Sequence, residues 1–273
     1  MEGFAVDHDR CTRCGLCIDI CSRKALSSDD EGGPALTAEG LQLCNACGHC
    51  TAICPVDAIT PPKCNGERAM ELPAVPDIDF AQAKRFILSN RSMRKYKRNP
   101  VPREEILELL EVARKAPSAS NMQTLRWLVM SDRKKLDTFT ALNMEWFDKM
   151  ARNDPAMAAR YNVDRLMARY KNGEDVILRG APNAVLVITD KNVPWALTDA
   201  AVALTYFILA AHSRNIGSAW CGFGLRAMEA YPPMREFMGL DDSSVVQAMA
   251  FFGYPDASYR AVPPRKPLNV TWV

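Results

Sequence analysis

The sequence predicts an α+β protein in two parts, a small cysteine-rich module over residues 1–60 and a mixed helix-and-strand sandwich over residues 80–273, joined by a linker at 61–79. Three observations predict it. The first is a cysteine pattern written twice: Cys11, Cys14, Cys17 and Cys21 read C-x2-C-x2-C-x3-C, and Cys44, Cys47, Cys50 and Cys54 repeat the spacing 33 positions later. The second is a Pro-rich run from Thr60-Pro61-Pro62-Lys63 through Pro73 and Pro76, of the composition that makes a semi-rigid spacer. The third is an alternation of helical and strand-like segments after residue 80 without regular β-α-β spacing, which argues against a doubly wound sheet.

The cysteine module comes first in the chain. Its spacing suits cubic [4Fe–4S] clusters, each with three thiolates on one tight loop and a fourth from a distance. A zinc S4 site also uses C-x2-C pairs, but zinc has no use for the third Cys of each triplet. The repeat extends past the cysteines, since Cys21-Ser-Arg-Lys-Ala-Leu parallels Cys54-Pro-Val-Asp-Ala-Ile, as a duplicated half-domain would. Asp29–Pro34 reads as an acidic loop between the halves. Cys64, within the linker, reads as a spare thiol because eight ligands already suffice.

Beyond the linker, Phe80–Ser89 has helical spacing and leads into Asn90-Arg91-Ser92-Met93-Arg94-Lys95-Tyr96-Lys97-Arg98. Pro102 opens an amphipathic helix with Glu104 and Glu105 in its first turn and Ile106, Leu109, Leu110 and Ala113 on one face; Pro117 is expected to stop it. A polar loop, Ala116–Gln123, precedes a strand at Arg126–Met130. Residues 133–171 read as helical, and their Met content suits adaptable packing. Ala184–Thr189 reads as a strand, Asp199–Arg214 as a helix and Ser218–Cys221 as a buried strand followed by the glycines of Gly222-Phe223-Gly224. Pro232 and Pro233 break any helix over Met228–Met238, and Val245–Phe252 reads as the last strand.

Composition narrows the function classes. Lys plus Arg is 34 against 32 Asp plus Glu, a formal net charge of +2, which argues against a general nucleic-acid binder. Eight of ten cysteines lie in the repeated pattern, pointing to a reducing cytoplasm rather than a disulfide scaffold. The opening Met-Glu-Gly-Phe-Ala-Val-Asp carries neither a basic nor an apolar leader segment, so no signal peptide is expected. The apolar stretch Trp195–Ala211 is short for a membrane span and contains Asp199, so it is expected to be buried in a core or dimer interface. No GxGxxG or GxxxxGK loop appears, which removes a Rossmann nucleotide site. Histidine is nearly absent (His8, His49 and His212), leaving little support for His-based acid–base chemistry. His49 could tune a cluster or lie at the surface, and His212 is expected to be packed or capping. Cys221 reads as a small buried hydrophobe.

The cysteine segment resembles the two-cluster bacterial ferredoxins. In those, the fourth Cys of each run crosses over, which implies that Cys11, Cys14, Cys17 and Cys54 hold one cluster and Cys44, Cys47, Cys50 and Cys21 the other. Ser22 stands where that pattern usually has Pro, a change that removes no ligand.

Arg91-Ser92-x-Arg94, Ala116-Pro117-Ser118-x-x-Asn121-x-Gln123 and Ile216-Gly217-Ser218-x-Trp220-x-Gly222, with Arg265-Lys-Pro-Leu near the end, together resemble the FMN-dependent nitroreductase family over about residues 81–273. The resemblance implies FMN beside the two [4Fe–4S] clusters. A flavin phosphate is a dianion that suits a fork of Arg donors, and Arg91, Arg94 and Arg265 could supply one, with Ser92 adding a hydroxyl. The resemblance implies Asn121 at the isoalloxazine edge, Gln123 as a flavin contact, and the backbone around Gly222 and Phe223 near flavin N5. Lys95, Lys97 and Arg98 are expected on a solvated face. The sequence departs from the family pattern at Asn90, where a first Arg is frequent, at Thr124-Leu125, where Pro-Trp is usual, and at Phe223, where Gly is frequent.

These readings imply an oxidoreductase in which flavin N5, rather than a side chain, carries the chemistry. Electrons would pass from the clusters to FMN and on to a nitroaromatic, quinone or activated C=C. A ferredoxin or other low-potential donor is expected, with NAD(P)H as the alternative. The resemblance also implies a homodimer, clasped by the tail Val262–Val273. The rival reading is an electron-transfer subunit that serves a protein partner and has no small-molecule substrate of its own.

Overall fold

The computed structural model describes residues 3–61, 69–72 and 77–273. Cys64 and much of the expected linker lie outside the described residues. The chain forms two compact units, one of residues 1–77 together with Ser118–Met122, the other of Ile78–Pro117 and Gln123–Val273.

The first unit shows its duplication in the backbone. β1 (Ala5–Val6) is followed by α1 (Leu16–Asp19), the hairpin β2 (Leu26–Ser28) and β3 (Pro34–Leu36), α2 (Ala38–Leu43), α3 (His49–Ala52) and β4 (Ile59–Thr60). β1 and β4 pair antiparallel, so the two ends of the repeat meet. Left-handed residues recur 33 positions apart: Arg13 and Ala46 (φ 56° and 53°), Gly15 and Gly48 (77° and 75°), Lys24 and Asp57 (51° and 49°). Gly15 and Gly48 open α1 and α3, where their φ suits glycine. The loop between the halves is held by Asp29, whose Oδ1 accepts the N–H groups of Glu31 (3.0 Å) and Gly33 (2.7 Å). Ala25, Leu26, Leu36 and Ile59 form the small core.

The second unit is a four-stranded sheet covered on both faces. In chain order it contains α4 (Phe80–Ser89), α5 (Arg103–Ala113), β5 (Arg126–Met130), α6 (Arg133–Asn153), α7 (Pro155–Tyr161), α8 (Val163–Lys171) and β6 (Asn183–Asp190). α9 (Ala196–Ser213), β7 (Gly217–Trp220), α10 (Gly222–Ala230), α11 (Pro232–Phe237) and β8 (Ser244–Gly253) complete it. The strand order is β5-β6-β8-β7, and every pair is antiparallel. Alternation along β6 divides the core, as the two-residue period of a strand requires. Ala184, Leu186 and Ile188 face a cluster with residues of α6, α8 and α10, whereas Val185 and Val187 face one with residues of α5 and α9. This is the expected α+β sandwich.

Several elements differ in detail from the sequence expectation. α5 ends at Ala113, before Pro117, because Lys115 and Ala116 close short turns onto Val112 and Ala113 (3.2 and 3.1 Å). Gly222-Phe223-Gly224, to which the sequence assigns no element, begin α10. The break over Met228–Met238 falls at Tyr231, and Pro232-Pro233 start α11, where a missing N–H costs nothing. Residues 133–171 form three helices, two of them capped by Asp132 and Asp154.

Among the described residues, α9 is long and apolar enough to cross a membrane by length and composition. Eight of its residues, including Ala200, Leu204, Phe207 and Ala211, are buried within the unit, so it is a core helix.

Candidate functional site

Two cavities in the first unit collect the eight cysteines. Cys11, Cys14, Cys17 and Cys54 line one, with Leu16, Val56 and Ile59. Cys21, Cys44, Cys47 and Cys50 line the other, with Leu26, Leu36 and Ser22. In each, three sulfurs come from one half of the repeat and the fourth from the other half. Among the described residues, no three His, Cys, Asp or Glu converge as they would on a single ion. Thiolates of a cubic cluster bind separate irons and need not converge in that way.

The sulfurs receive backbone N–H groups, which favour the thiolate form. Ala25 N–H reaches Cys21 Sγ at 3.2 Å, Ala58 N–H reaches Cys54 at 3.3 Å and Ala46 N–H reaches Cys44 at 3.4 Å. Burial alone would raise the Cys21 thiol pKa, but N–H groups of Ala25, Leu26, Arg23 and Lys24 outweigh it and bring it below the usual value. Burial pushes Cys17 and Cys50 up. His49 Nδ1 lies 3.4 Å from Cys47 Sγ, close enough to affect that sulfur.

The second unit holds a different site beside β7. Ser92 forms a parallel bridge with Ser218, and Met93 N–H donates to Ser218 O at 2.9 Å. Gly217 permits this approach, because a Cβ there would lie 2.7 Å from Met93 Cβ. The bridge sets Arg91, Ser92 and Arg94 around a cavity of 540 Å³, and Arg265 joins them from the C-terminal tail. Tyr259 anchors that tail by donating its hydroxyl to Ser92 O at 3.0 Å. The cavity is rich in donors and shows an unmet one: Arg91 Nε is buried with no hydrogen-bond partner, although its Nη2 donates to Leu88 O at 3.0 Å. An anion with several acceptor oxygens matches that donor set.

A second cavity of 400 Å³ shares Arg94 and Trp220 with the first and is lined by Gly222 and Phe223. These residues open α10, whose first-turn N–H groups have no partner within the helix. Cys221 beneath them is fully buried, and its thiol is pushed up to about 12. The structure thus brings Arg91, Ser92, Arg94 and Arg265 together, and Gly222 and Phe223 next to them through Arg94. Asn121 and Gln123 are not among the lining residues. Asn121 belongs to the first unit, where its Nδ2 donates to Asn45 O at 3.2 Å and Ala46 O at 2.9 Å. His212, also outside the site, sits against Phe86 and 2.7 Å from Ser89 Oγ.

Sequence reasoning missed Tyr259 and also Arg179, which lines the second cavity. Each is a lone residue in a loop or tail, and nothing in the spacing marks it.

The family model for the nitroreductase family matches residues 87–254, more than half of the chain. The chain belongs to the nitroreductase family. A second model, the 4Fe-4S dicluster domain, matches residues 10–58, so this family member carries an iron–sulfur domain ahead of its oxidoreductase domain. An NADH dehydrogenase of Thermus thermophilus is 26% identical over 187 residues, covering 63% of this chain and 86% of that protein. A ferredoxin of Pyrobaculum islandicum is 37% identical over 59 residues, 22% of this chain and 52% of that one. A nitroreductase with bound FMN from Desulfitobacterium hafniense superposes with a TM-score of 0.57 at 22% identity, over 70% of this chain and 97% of that one, and shares the fold.

Proposed function

We propose that the protein is an iron–sulfur flavoprotein that takes up electrons one at a time at two [4Fe–4S] clusters and delivers them in pairs, from FMN, to an electron-poor small molecule. The observation that carries this reading is the gathering of Arg91, Ser92, Arg94 and Arg265 around one cavity, beside the N-terminus of α10. FMN, when bound, supplies two-electron storage and hydride transfer from N5.

The chain's own residues supply binding and orientation. Arg91 and Arg265 would hold the phosphate dianion with their guanidinium donors, and the Ser92 hydroxyl would add another. Arg94, shared by both cavities, places a positive charge where they meet. The N–H groups of Gly222 and Phe223 are free to donate to a heteroatom edge of the ring, and the helix end favours electron density there. Trp220, 45% exposed, offers an apolar wall to the same space. In the first unit, Cys11, Cys14, Cys17 and Cys54 serve one cluster and Cys44, Cys47, Cys50 and Cys21 the other. Electron-poor acceptors such as nitroaromatics, quinones or activated C=C fit this scheme. A low-potential protein donor such as ferredoxin fits the clusters better than NAD(P)H, because clusters accept single electrons.

The reading includes a homodimer. Leu268 and Trp272 of the tail are each 91% exposed in the single chain, and Trp195 and Leu197 at the start of α9 are also uncovered. A second copy would cover such residues. Light scattering that gives about 30 kDa for the flavin-loaded protein would remove the dimer.

The relay reading draws support from Leu16, Ile20 and Ile53, apolar residues that lie exposed near the cluster cysteines, where a partner protein could dock. One experiment separates the two. The protein is reduced anaerobically, freed of excess reductant and mixed with a nitroarene or quinone while the flavin band is followed. Repeated reoxidation on resupplied electrons supports the enzyme. A flavin that stays reduced with every small acceptor, yet discharges to a protein oxidant, supports the relay.

A further inference from the structure

Arg94 and Arg179 both line the 400 Å³ cavity at the start of α10, and both also line an adjoining cavity of 1020 Å³. Arg98, Arg133 and Arg169 line the larger cavity too, against the acidic Glu174 and Asp175. The two acids offset only part of this charge, because five arginines stand against them, and both carboxylates already hold other hydrogen bonds. Glu174 Oε2 accepts from Arg169 Nε at 2.9 Å and Nη2 at 2.6 Å. Asp175 Oδ1 takes the N–H groups of Ile177 (3.1 Å) and Leu178 (2.8 Å), and Oδ2 takes that of Gly180 (3.0 Å). Arg133 is engaged with Asp137.

Arg179 is the exception. It is half-buried, and no hydrogen bond or ion pair holds its guanidinium among the described residues. Burial lowers its pKa, the neighbouring charges of Arg169 and Arg94 lower it further, and Asp175 and Glu174 offset only part of this, so its charge is disfavoured where it stands. An arginine stays charged even so, and a half-buried charge facing like charges gains most from an anion. Its backbone φ is 58°, an unfavourable value for a side chain with a Cβ. The Asp175 clamp around residues 177–180 holds that turn in place. The site is therefore built, rather than a solvated basic surface.

We propose that Arg179, facing Arg94 across these cavities, is the anchor for an anionic group on the acceptor, so that the preferred substrates are electron-poor molecules bearing a carboxylate. This deepens the reading above and rests on it for the reaction, but not for the binding site. The carboxylate would pair with the Arg179 fork, while the reducible end lies toward Gly222 and Phe223. Arg94 is shared with the cofactor cavity, which leaves Arg179 as the residue devoted to the substrate. A 1020 Å³ space also admits acceptors larger than a single ring.

The test uses the flavin-loaded full chain and Arg179→Gln, with Arg179→Lys as a charge-retaining control. The first readout is the ratio of kcat/KM for 4-nitrobenzoate to that for nitrobenzene, which should fall at least tenfold in Arg179→Gln and recover in part in Arg179→Lys. The second is equilibrium binding of benzoate, which is not reduced: the wild type should bind it more tightly than benzyl alcohol, and Arg179→Gln should lose that preference. An unchanged ratio with unchanged benzoate affinity would overturn the proposal. Loss of flavin from Arg179→Gln, with iron content kept, would also overturn it by moving Arg179 into the cofactor site. If the wild type reduces neither nitroarene and no quinone either, the enzyme reading fails, and benzoate binding alone then decides the anion subsite.

Discussion

The backbone N–H of Ala25 reaches the sulfur of Cys21 at 3.2 Å, and the same bond recurs 33 positions on, from Ala58 to Cys54 at 3.3 Å. These two cysteines are the fourth members of their runs, and each lines the cavity of the opposite run. Lys24 and Asp57, in left-handed conformations just before the donors, hold both turns. The duplication is thus expressed as hydrogen-bond geometry at the sulfurs as well as in the spacing of the cysteines.

The crossing gives a prediction that iron analysis can check. Replacing Cys14 and Cys54 together by Ala should remove ligands from one cluster and leave about four of about eight irons. Replacing Cys14 and Cys21 together should strike both clusters and leave close to none. The reverse result, close to no iron without Cys14 and Cys54 but about four without Cys14 and Cys21, would show that the fourth cysteines do not cross.

Much of this was legible from the sequence, and the limits have physical causes. The cysteine spacing marks both cluster loops because tight ligand loops tolerate little variation. The strands at Ala184–Thr189 and Val245–Phe252 were visible because both faces of a covered strand are apolar. By contrast, α10 was hidden: Gly222 and Gly224 are poor helix formers, and packing overrides them where Gly224 fits against Met249, Cys221 and Phe139. The resemblance places Asn121 at the isoalloxazine edge, whereas the donation of its amide to Ala46 O is a pairing 75 residues distant in sequence that no local pattern reveals. Arg179 was invisible for the same reason. Its significance lies in which partners other residues have already taken.

The anion cavity is expected to hold its ligand through charge-assisted hydrogen bonds. Arg94→Ala or Arg265→Ala should each weaken FMN about 10- to 100-fold, equivalent to roughly 1.5–3 kcal/mol for a bond to a charged group. Iron content should not change. Fluorescence titration of the apo-flavin protein with FMN measures the first effect and iron analysis the second. Full flavin retention in both variants would contradict the phosphate assignment.

Gly40 carries a different constraint. A Cβ at this position would lie 2.1 Å from Ala25 O, a backbone atom that cannot swing aside. Ala25 in turn supplies the N–H at Cys21. Gly40→Ala should therefore destabilise the first unit by about 1–3 kcal/mol or more, the usual cost of overpacking, and loosen the cluster that Cys21 serves. Loss of cluster absorbance on heating should shift to lower temperature, with FMN affinity unaltered. An unshifted transition would mean that α2 moves away at little cost.

His212 provides the pH prediction. Its Nε2 lies 2.7 Å from Ser89 Oγ, its ring packs 5.2 Å from that of Phe86, and burial lowers its pKa below the ordinary 6.5. In the unfolded chain the imidazole takes up a proton as pH falls through about 6.5, whereas the folded one resists. The unfolded state then binds more protons, so stability falls as pH drops through that point, and the loss stops growing below the folded value. His212→Gln, which keeps a side chain able to bond Ser89, should be less stable than the wild type at pH 8 but should show a flatter decline between pH 7 and 5. Parallel curves for the two proteins over that range would mean that other groups, not His212, set the acid sensitivity of the α4–α9 contact.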